Sequence, residues 1–228
     1  MQAIVYTLIP WAALVLGAIV TVFWPPGPKV RSAIQHFAAG VVFAAVASEI
    51  LPELKHGGSV VAVAIGATVG ILVMLAIKQI GRRASGPLAI AAVTGIDILI
   101  DGLVLGIGFT AGARQGLLLT IALTIEVLFL GLTLTGAFIE KIASRWQAAS
   151  LTAAIGLALP LGAAAGGPVG SLSVPLLTGF YAFGLIALLY LVTEELLVEA
   201  HEQPDTPLIS AMFFVGFMLL LLLEEALP

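Results

Sequence analysis

The stretch TGIDILIDGLVLG, residues 94–106, places Asp97 and Asp101 inside an apolar run that extends from Pro87 to Ala111. In a lipid bilayer, each ionised carboxylate costs roughly 2.5 to 3.5 kcal/mol on insertion scales. Residues four apart in sequence share one face of an α-helix. The stretch therefore predicts a membrane-spanning helix that carries two acids on one face, one turn apart.

The composition also indicates a membrane protein. Of the 228 residues, 61% are hydrophobic and 10% are charged, whereas soluble domains are about 25% charged. Apolar stretches of about 20 residues, enough to cross ~30 Å of hydrocarbon, recur along the whole chain. The chain has no cysteine, which excludes disulfides and thiolate metal sites. Residues 1–17 have no basic segment before their apolar run, so we expect a first spanning helix rather than a cleaved signal.

Charged, glycine-containing and proline-containing separators divide the chain into eight predicted helices. They are expected at 3–24, 33–54, 58–80, 87–111, 114–139, 150–166, 170–197 and 206–226. The sixth is the least regular, because Pro160 falls inside it. The predicted fold is an all-α membrane protein with a single transmembrane domain over 1–228, in which helices one to three occupy 3–80, helices four and five 87–139, and helices six to eight 150–226.

The positions of lysine and arginine predict the orientation in the membrane. Cytoplasmic loops of membrane proteins carry an excess of these residues. If the N-terminus is extracytoplasmic, only Lys55 and Arg114 of the nine basic residues lie outside. The seven that then lie inside are Lys29, Arg31, Lys78, Arg82, Arg83, Lys141 and Arg145. Both termini are therefore expected on the extracytoplasmic side.

Further acids suggest an internal symmetry. The fifth helix carries Glu126 near its middle, in the stretch LTIEVLFLGLTLTG. The end of the second helix, SEILPE at 48–53, resembles the end of the seventh, EELLVE at 194–199, and aligns Glu49 with Glu195. These two helices cross the membrane in opposite directions in the predicted orientation. This pattern is typical of an inverted repeat, in which helices one to three mirror helices six to eight around helices four and five.

The mid-membrane acids Asp97, Asp101 and Glu126 predict a cation site. No lysine or arginine is predicted at their depth, and three carboxylates do not stay ionised and unpaired in a dry site. A divalent cation converts their repulsion into coordination, and protonation of the empty site offers a route to proton coupling. Oxygen ligands suit Mg²⁺, Mn²⁺, Fe²⁺ or Zn²⁺. The hydroxyls of Thr94 and Thr124 are further candidate ligands.

Other interpretations of the same residues stay open. A membrane acid can hydrogen-bond a neighbouring helix, and Glu49 and Glu195 lie near helix ends, where acids are common. The acids also fit a proton or monovalent-cation carrier. The stretch TEELLVEAH, residues 193–201, resembles intramembrane glutamate proteases, which have a Glu-Glu pair followed by a basic residue. Because Val198 stands at that basic position and no histidine is predicted within a helix core, we expect a transporter rather than an enzyme.

The spacing of these residues resembles that of the ZIP (Zrt/Irt-like) divalent metal transporters over nearly the whole chain. The fourth helix of that family typically reads His-Asn-x-Pro-Glu-Gly, and the same frame here runs from Asp97 to Gly102. The fifth typically reads His-Glu-x-Pro-Glu-Gly, and here runs from Glu126 to Gly131. The stretch HFAAGVVFAAVASEILPEL is similar to the family's second helix, and YLVTEELLVEAHE to the part of its seventh that supplies a metal-facing glutamate, here Glu195.

The resemblance implies a 3+2+3 inverted-repeat bundle with both termini outside and a metal site between helices four and five. The implied ligands are Asp97, Asp101 and Glu126. Glu195 would complete the coordination shell or pass the ion to the cytosol, and Glu49 would line the opposite approach.

The sequence also departs from the family pattern. Both ligand histidines are replaced by acids, and the second carboxylate of helix five is replaced by Leu130. Positions that complete a second metal site in some members are Ile98 and Val127, so one metal is expected. The two helix-kinking prolines are replaced by Ile100 and Phe129. Imidazole is a favoured zinc ligand, and its loss makes zinc a less favoured substrate than manganese, iron or magnesium.

The expected function is therefore transport of a divalent cation, with zinc, manganese, iron or magnesium as substrate and no resident cofactor. The expected partners are the metal ion and the lipid bilayer, without nucleic acid, and a homodimer is compatible with the sequence. Short loops and the lack of a targeting segment favour a multi-pass protein of a plasma membrane, the inner membrane of a prokaryote.

Overall fold

The computed structural model describes residues 2–56, 59–83, 86–204 and 206–226, and these are almost entirely helical, with no β-strand among them. Eight helices are long and apolar enough to cross a membrane, so the chain is a multi-pass membrane protein and the predicted number of spans is confirmed. We number them α1 (Gln2–Phe23), α2 (Pro28–Lys55), α3 (Val60–Arg83), α4 (Pro87–Ala111), α5 (Ala113–Ile139), α6 (Arg145–Ser171), α7 (Val174–Ala200) and α8 (Pro207–Ala226).

Two helices begin five residues earlier than the sequence predicts. The second begins at Pro28 rather than at residue 33, because proline fits the first turn of a helix, where its missing N–H is not needed. The sixth begins at Arg145 rather than at residue 150. There the side chain of Ser144 accepts a hydrogen bond from the backbone N–H of Gln147 at 3.4 Å, which caps the helix.

The sixth span is broken near its middle, as expected from Pro160. Regular α-helix ends at Ile155 and resumes at Ala158, with a turn between them. Proline has no N–H to donate to the carbonyl four residues earlier, which is that of Gly156. That carbonyl instead accepts a shorter-range bond from the N–H of Leu159 at 3.1 Å. The helix therefore changes course without leaving this carbonyl unpaired.

Four interfaces between helices dominate the packing: α1 with α5, α4 with α6, α2 with α8, and α3 with α7. The first is closed by two glycines. A Cβ atom on Gly17 would overlap the backbone carbonyl of Leu128, and one on Gly131 would overlap that of Leu14. Only glycine allows the two backbones to come this close.

The interface between α4 and α6 is built in the same way. A Cβ atom on Gly102 would overlap the carbonyl of Leu159, and one on Gly162 would overlap that of Leu99. In both interfaces each glycine lies three residues after the leucine whose carbonyl the glycine of the partner helix leaves room for. The two central helices α4 and α5 are therefore each fixed from outside by one tightly packed helix.

The main apolar core lies between α2, α4, α5 and α7, where Val41, Leu105, Leu118 and Leu188 are buried. In contrast, α3 and α8 present many large apolar side chains on the outside of the bundle. Examples are Val61, Ile65, Leu72, Phe214 and Leu222. Such exposed apolar faces suit helices that contact lipid.

The glycine contacts yield a prediction about stability. Gly131→Ala should lower the stability of the folded protein by about 1 to 3 kcal/mol, because the new methyl group overlaps the α1 backbone, which cannot rotate away. The measurement is thermal unfolding of the purified protein in detergent. Gly136→Ala is the matched control on the same helix, since its Cβ would lie 3.9 Å from Thr21 in ordinary contact. Equal melting temperatures for the two variants would contradict the close-packing assignment.

Candidate functional site

Five helices, α2, α3, α4, α5 and α7, surround a cavity of about 660 Å³. Its acidic lining residues are Asp97, Asp101, Glu126, Glu194, Glu195, Glu199 and Glu202. Among the described residues, its basic lining residues are Lys78 and Arg82. Acids thus outnumber bases in the cavity wall, and the cavity attracts cations.

Three of the predicted ligands line this cavity from the two central helices. Asp97 and Asp101 lie one turn apart on α4, on the face that the four-residue spacing predicts. Glu126 lies on α5, which packs against α4. Only 5% of Asp101 and 2% of Glu126 is exposed, while Asp97 is partly buried. The three carboxylates are close enough to interact electrostatically.

Two carboxylate oxygens in this group have no partner. The Oδ1 atom of Asp97 and the Oε2 atom of Glu126 are buried and make no hydrogen bond. No lysine or arginine of the described ranges forms an ion pair with Asp97, Asp101 or Glu126. A buried oxygen without a partner is unfavourable by about 1 to 3 kcal/mol. These oxygens are therefore available to a cation, and they fit the hard ligands that divalent ions prefer.

The acids surround a space rather than a closed coordination sphere. Within the described ranges, no three His, Cys, Asp or Glu side chains lie close enough together to hold a metal ion. A cation that binds here must draw the side chains inward, which the rotatable bonds of Glu126 and Glu195 allow. The arrangement of the described acids is thus open rather than a preformed metal site.

The remaining two predicted residues lie in different places. Glu195 lines the same cavity from α7, within a turn of π-helix at Leu191–Leu196. Glu49 lies in a π-helical turn of α2, Val46–Ile50, but lines a separate pocket of about 10 Å³ that shares no residue with the cavity. The structure thus brings Asp97, Asp101, Glu126 and Glu195 together and leaves Glu49 apart. Both π-helical turns contain an acid. Such turns are rare in proteins, but where they occur they are often part of a functional site.

Buried apolar residues lie next to the acids along both central helices. Val104, less than one turn beyond Asp101 on α4, and Leu123, less than one turn before Glu126 on α5, are both buried. Both belong to the main apolar core of the bundle. Val104 also lines the small pocket that contains Glu49. Glu49 is therefore separated from the other acids by packed aliphatic side chains.

The other end of the cavity extends to the ends of several helices. Its lining includes Gln35 near the start of α2, Arg82 at the end of α3 and Glu202 just after α7. In a bundle of consecutive antiparallel spans, these positions lie at the same end. The helix ends and loops at that end carry most of the basic residues of the chain. The cavity therefore reaches the basic end of the bundle.

Positions that depart from the ZIP pattern contribute to packing. Ile98 and Val127 are buried in a small apolar cluster with Leu14 of α1 and Leu159 of α6. In place of kinking prolines, Ile100 and Phe129 stand within helices that continue as regular α-helix over Pro87–Ala111 and Ala113–Ile139. Leu130, at a position where the ZIP pattern has a carboxylate, lines the cavity with an apolar side chain.

Of the two threonines predicted as further ligands, only one lines the cavity, and other polar residues line it as well. Thr94 lines the cavity, whereas Thr124 donates to the carbonyl of Thr120 at 2.6 Å and is absent from the lining. Sequence reasoning missed Gln35, Lys78, Thr133, Tyr190 and Glu194, which all line the cavity. The seven-residue spacing from Glu126 to Thr133 could have indicated a shared helix face. Nothing in the sequence pairs Lys78 with Glu194.

In a comparison with known proteins, no protein-family model matches the chain, and no curated protein matches it.

The cavity can be tested directly, since the chain has no cysteine of its own. Thr133→Cys should react with a water-soluble thiol reagent, because Thr133 lines the cavity. Thr135→Cys, two residues away on the same helix, should stay unreactive, because Thr135 is fully buried and donates to the hydroxyl of Thr152 at 2.9 Å. Labelling followed by mass spectrometry measures both. An unlabelled Thr133→Cys would show that the cavity does not admit the aqueous reagent, and a labelled Thr135→Cys would contradict the burial of Thr135.

Proposed function

We propose that the protein is a divalent metal cation transporter of the ZIP type, with its substrate site between α4 and α5. The observation that supports this most strongly is Glu126, a carboxylate enclosed in the bundle with one unpartnered oxygen. It lines a cavity together with Asp97, Asp101 and Glu195. A cation that enters this cavity gains the oxygens that neither a lysine nor an arginine neutralises.

The donor set favours certain ions as substrate. Carboxylate oxygens, with the Thr94 hydroxyl nearby, are hard ligands and suit Mn²⁺, Fe²⁺ or Mg²⁺, with Zn²⁺ also accepted. Since Ile98 and Val127 are packed in an apolar cluster, one ion is held at a time. The acids bind the ion and release it, and no side chain acts in a covalent step.

The proposed transport cycle uses the two ends of the bundle in turn. The acidic cavity reaches the basic end, while packed aliphatic residues separate it from Glu49 at the other end. This conformation corresponds to a site accessible from one side. The opposite conformation would open the pocket at Glu49 and close the cavity, which is alternating access. Protons that occupy the carboxylates of the empty site would couple transport to a proton gradient.

The packing supports the proposed 3+2+3 inverted repeat. If helices one to three correspond to six to eight and helix four to five, the α1–α5 interface corresponds to α6–α4, and α2–α8 to α7–α3. Both corresponding pairs are present among the four main interfaces. The two π-helical turns also occupy corresponding places, near Glu49 and Glu195.

The basic residues support the proposed orientation. With both termini outside, the acidic cavity opens to the cytoplasm, and the ion leaves toward the side where lysine and arginine are concentrated. The proposed location is the inner membrane of a prokaryote.

The test is metal uptake by the purified protein in proteoliposomes. Asp101→Asn keeps the shape of the side chain but removes its charge, so uptake should fall by about 100-fold or more, in proportion to lost binding of a doubly charged ion. Glu140→Gln, at an exposed position just after α5 and outside the cavity lining, is the matched control and should transport normally.

The ions to compare are Mn²⁺, Fe²⁺, Zn²⁺ and Mg²⁺ against Na⁺, each at two pH values. Undiminished divalent uptake by Asp101→Asn would reject the proposed site. Uptake of Na⁺ or protons without any divalent ion would show a monovalent-cation or proton carrier built on the same acids.

A further inference from the structure

Lys78 and Glu194 form an ion pair inside the cavity wall. Lys78 belongs to α3 and Glu194 to the π-helical turn of α7, so the pair joins two helices. The Lys78 ammonium also lies 5.5 Å from the ring centroid of Tyr190, one turn before Glu194. All three side chains line the cavity that contains Asp97, Asp101 and Glu126.

This ion pair contributes little to the stability of the fold. Its partners are 32% and 46% exposed, and exposed ion pairs contribute little to stability because water and salt screen them. The pair matters through its position. Glu194 is the neighbour of Glu195 in sequence, and the ammonium beside it is a fixed positive charge facing a cavity where acids predominate.

We propose that Lys78 is a tethered counter-ion that occupies Glu194 and keeps it out of the cation site, and so limits how tightly a divalent ion is held. This inference rests on the proposed transport function. With Glu194 neutralised, the entering ion is bound by the deeper acids and by Glu195. A transport site must bind its ion strongly enough to fill and weakly enough to empty. Lys78 therefore lowers the affinity of the site for the divalent ion, and so allows faster release of the ion.

The test compares two single variants whose effects have opposite signs. In Lys78→Gln, Glu194 becomes an unpaired carboxylate in the cavity, so the Kd for Mn²⁺ should fall roughly tenfold and transport turnover should slow. In Glu194→Gln, the ammonium stays without its partner and repels the ion, so the Kd should rise roughly tenfold. Calorimetric titration with Mn²⁺ in detergent and uptake in proteoliposomes measure the two quantities.

The double variant Lys78→Gln, Glu194→Gln separates this role from a simpler one. With both charges removed, the Kd should return close to the wild-type value. If Glu194 were itself a ligand for the ion, the double variant would stay as weak as Glu194→Gln. If the pair only joined α3 to α7, both single variants would lower the melting temperature and neither would tighten binding. Either result would overturn the inference.

Two controls keep this result distinct from the proposed function. Lys141→Gln removes a positive charge near the same end of the bundle but outside the cavity lining, and should leave the Kd unchanged. A wild-type protein that binds no Mn²⁺, Fe²⁺, Zn²⁺ or Mg²⁺ would reject the proposed function and this inference with it. Wild-type binding that Asp101→Asn abolishes, together with single variants that shift the Kd in the same direction, would reject the counter-ion alone.

Discussion

The structure is organised around the unfavourable free energy of enclosing carboxylates in a membrane protein without a basic partner. Asp101 and Glu126 are almost fully enclosed, and one oxygen of Glu126 has no hydrogen bond. Such groups persist only if they take up a proton or if water or a cation reaches them. The cavity between α2, α3, α4, α5 and α7 provides access for water or a cation. The glycine-mediated packing of α1 on α5 and of α6 on α4 holds the backbones that direct the acids into it.

The four main helix interfaces fall into two groups, one formed by α1, α4, α5 and α6 and the other by α2, α3, α7 and α8, and the main apolar core lies between the groups. The candidate ligands are shared between these groups, since Asp97, Asp101 and Glu126 lie on the first and Glu195 on the second. The ion pair between Lys78 and Glu194 lies wholly within the second. In the proposed cycle this division is useful, because a shift of one group against the other changes which oxygens face the ion without breaking either group's own packing.

Helix number and the placement of Asp97 and Asp101 on one face follow from apolar length and helical periodicity, which are local properties of the chain. The position of Glu49 outside the cavity does not follow from such local properties. It depends on the residues that pack between Glu49 and the cavity, among them Val104. For the same reason Lys78 counted in the sequence only as a basic residue near a loop. Its partner lies 116 residues away on another helix, and that register is set by tertiary packing.

The apolar residues beside the acids explain how the few carboxylates of the site are held in position. Ile98 follows Asp97 and Val127 follows Glu126, and each is buried with Leu14 and Leu159. Full burial of such a side chain stabilises by about 1.5 to 3 kcal/mol, whereas a polar residue there would need a partner that this cluster lacks. Each ligand-bearing turn is thus fixed on one side by aliphatic packing, while the adjacent acid points to the cavity. In the proposed function, a second ion would find no polar ligand at these two positions, so the packing that orients the acids would also limit the site to a single cation.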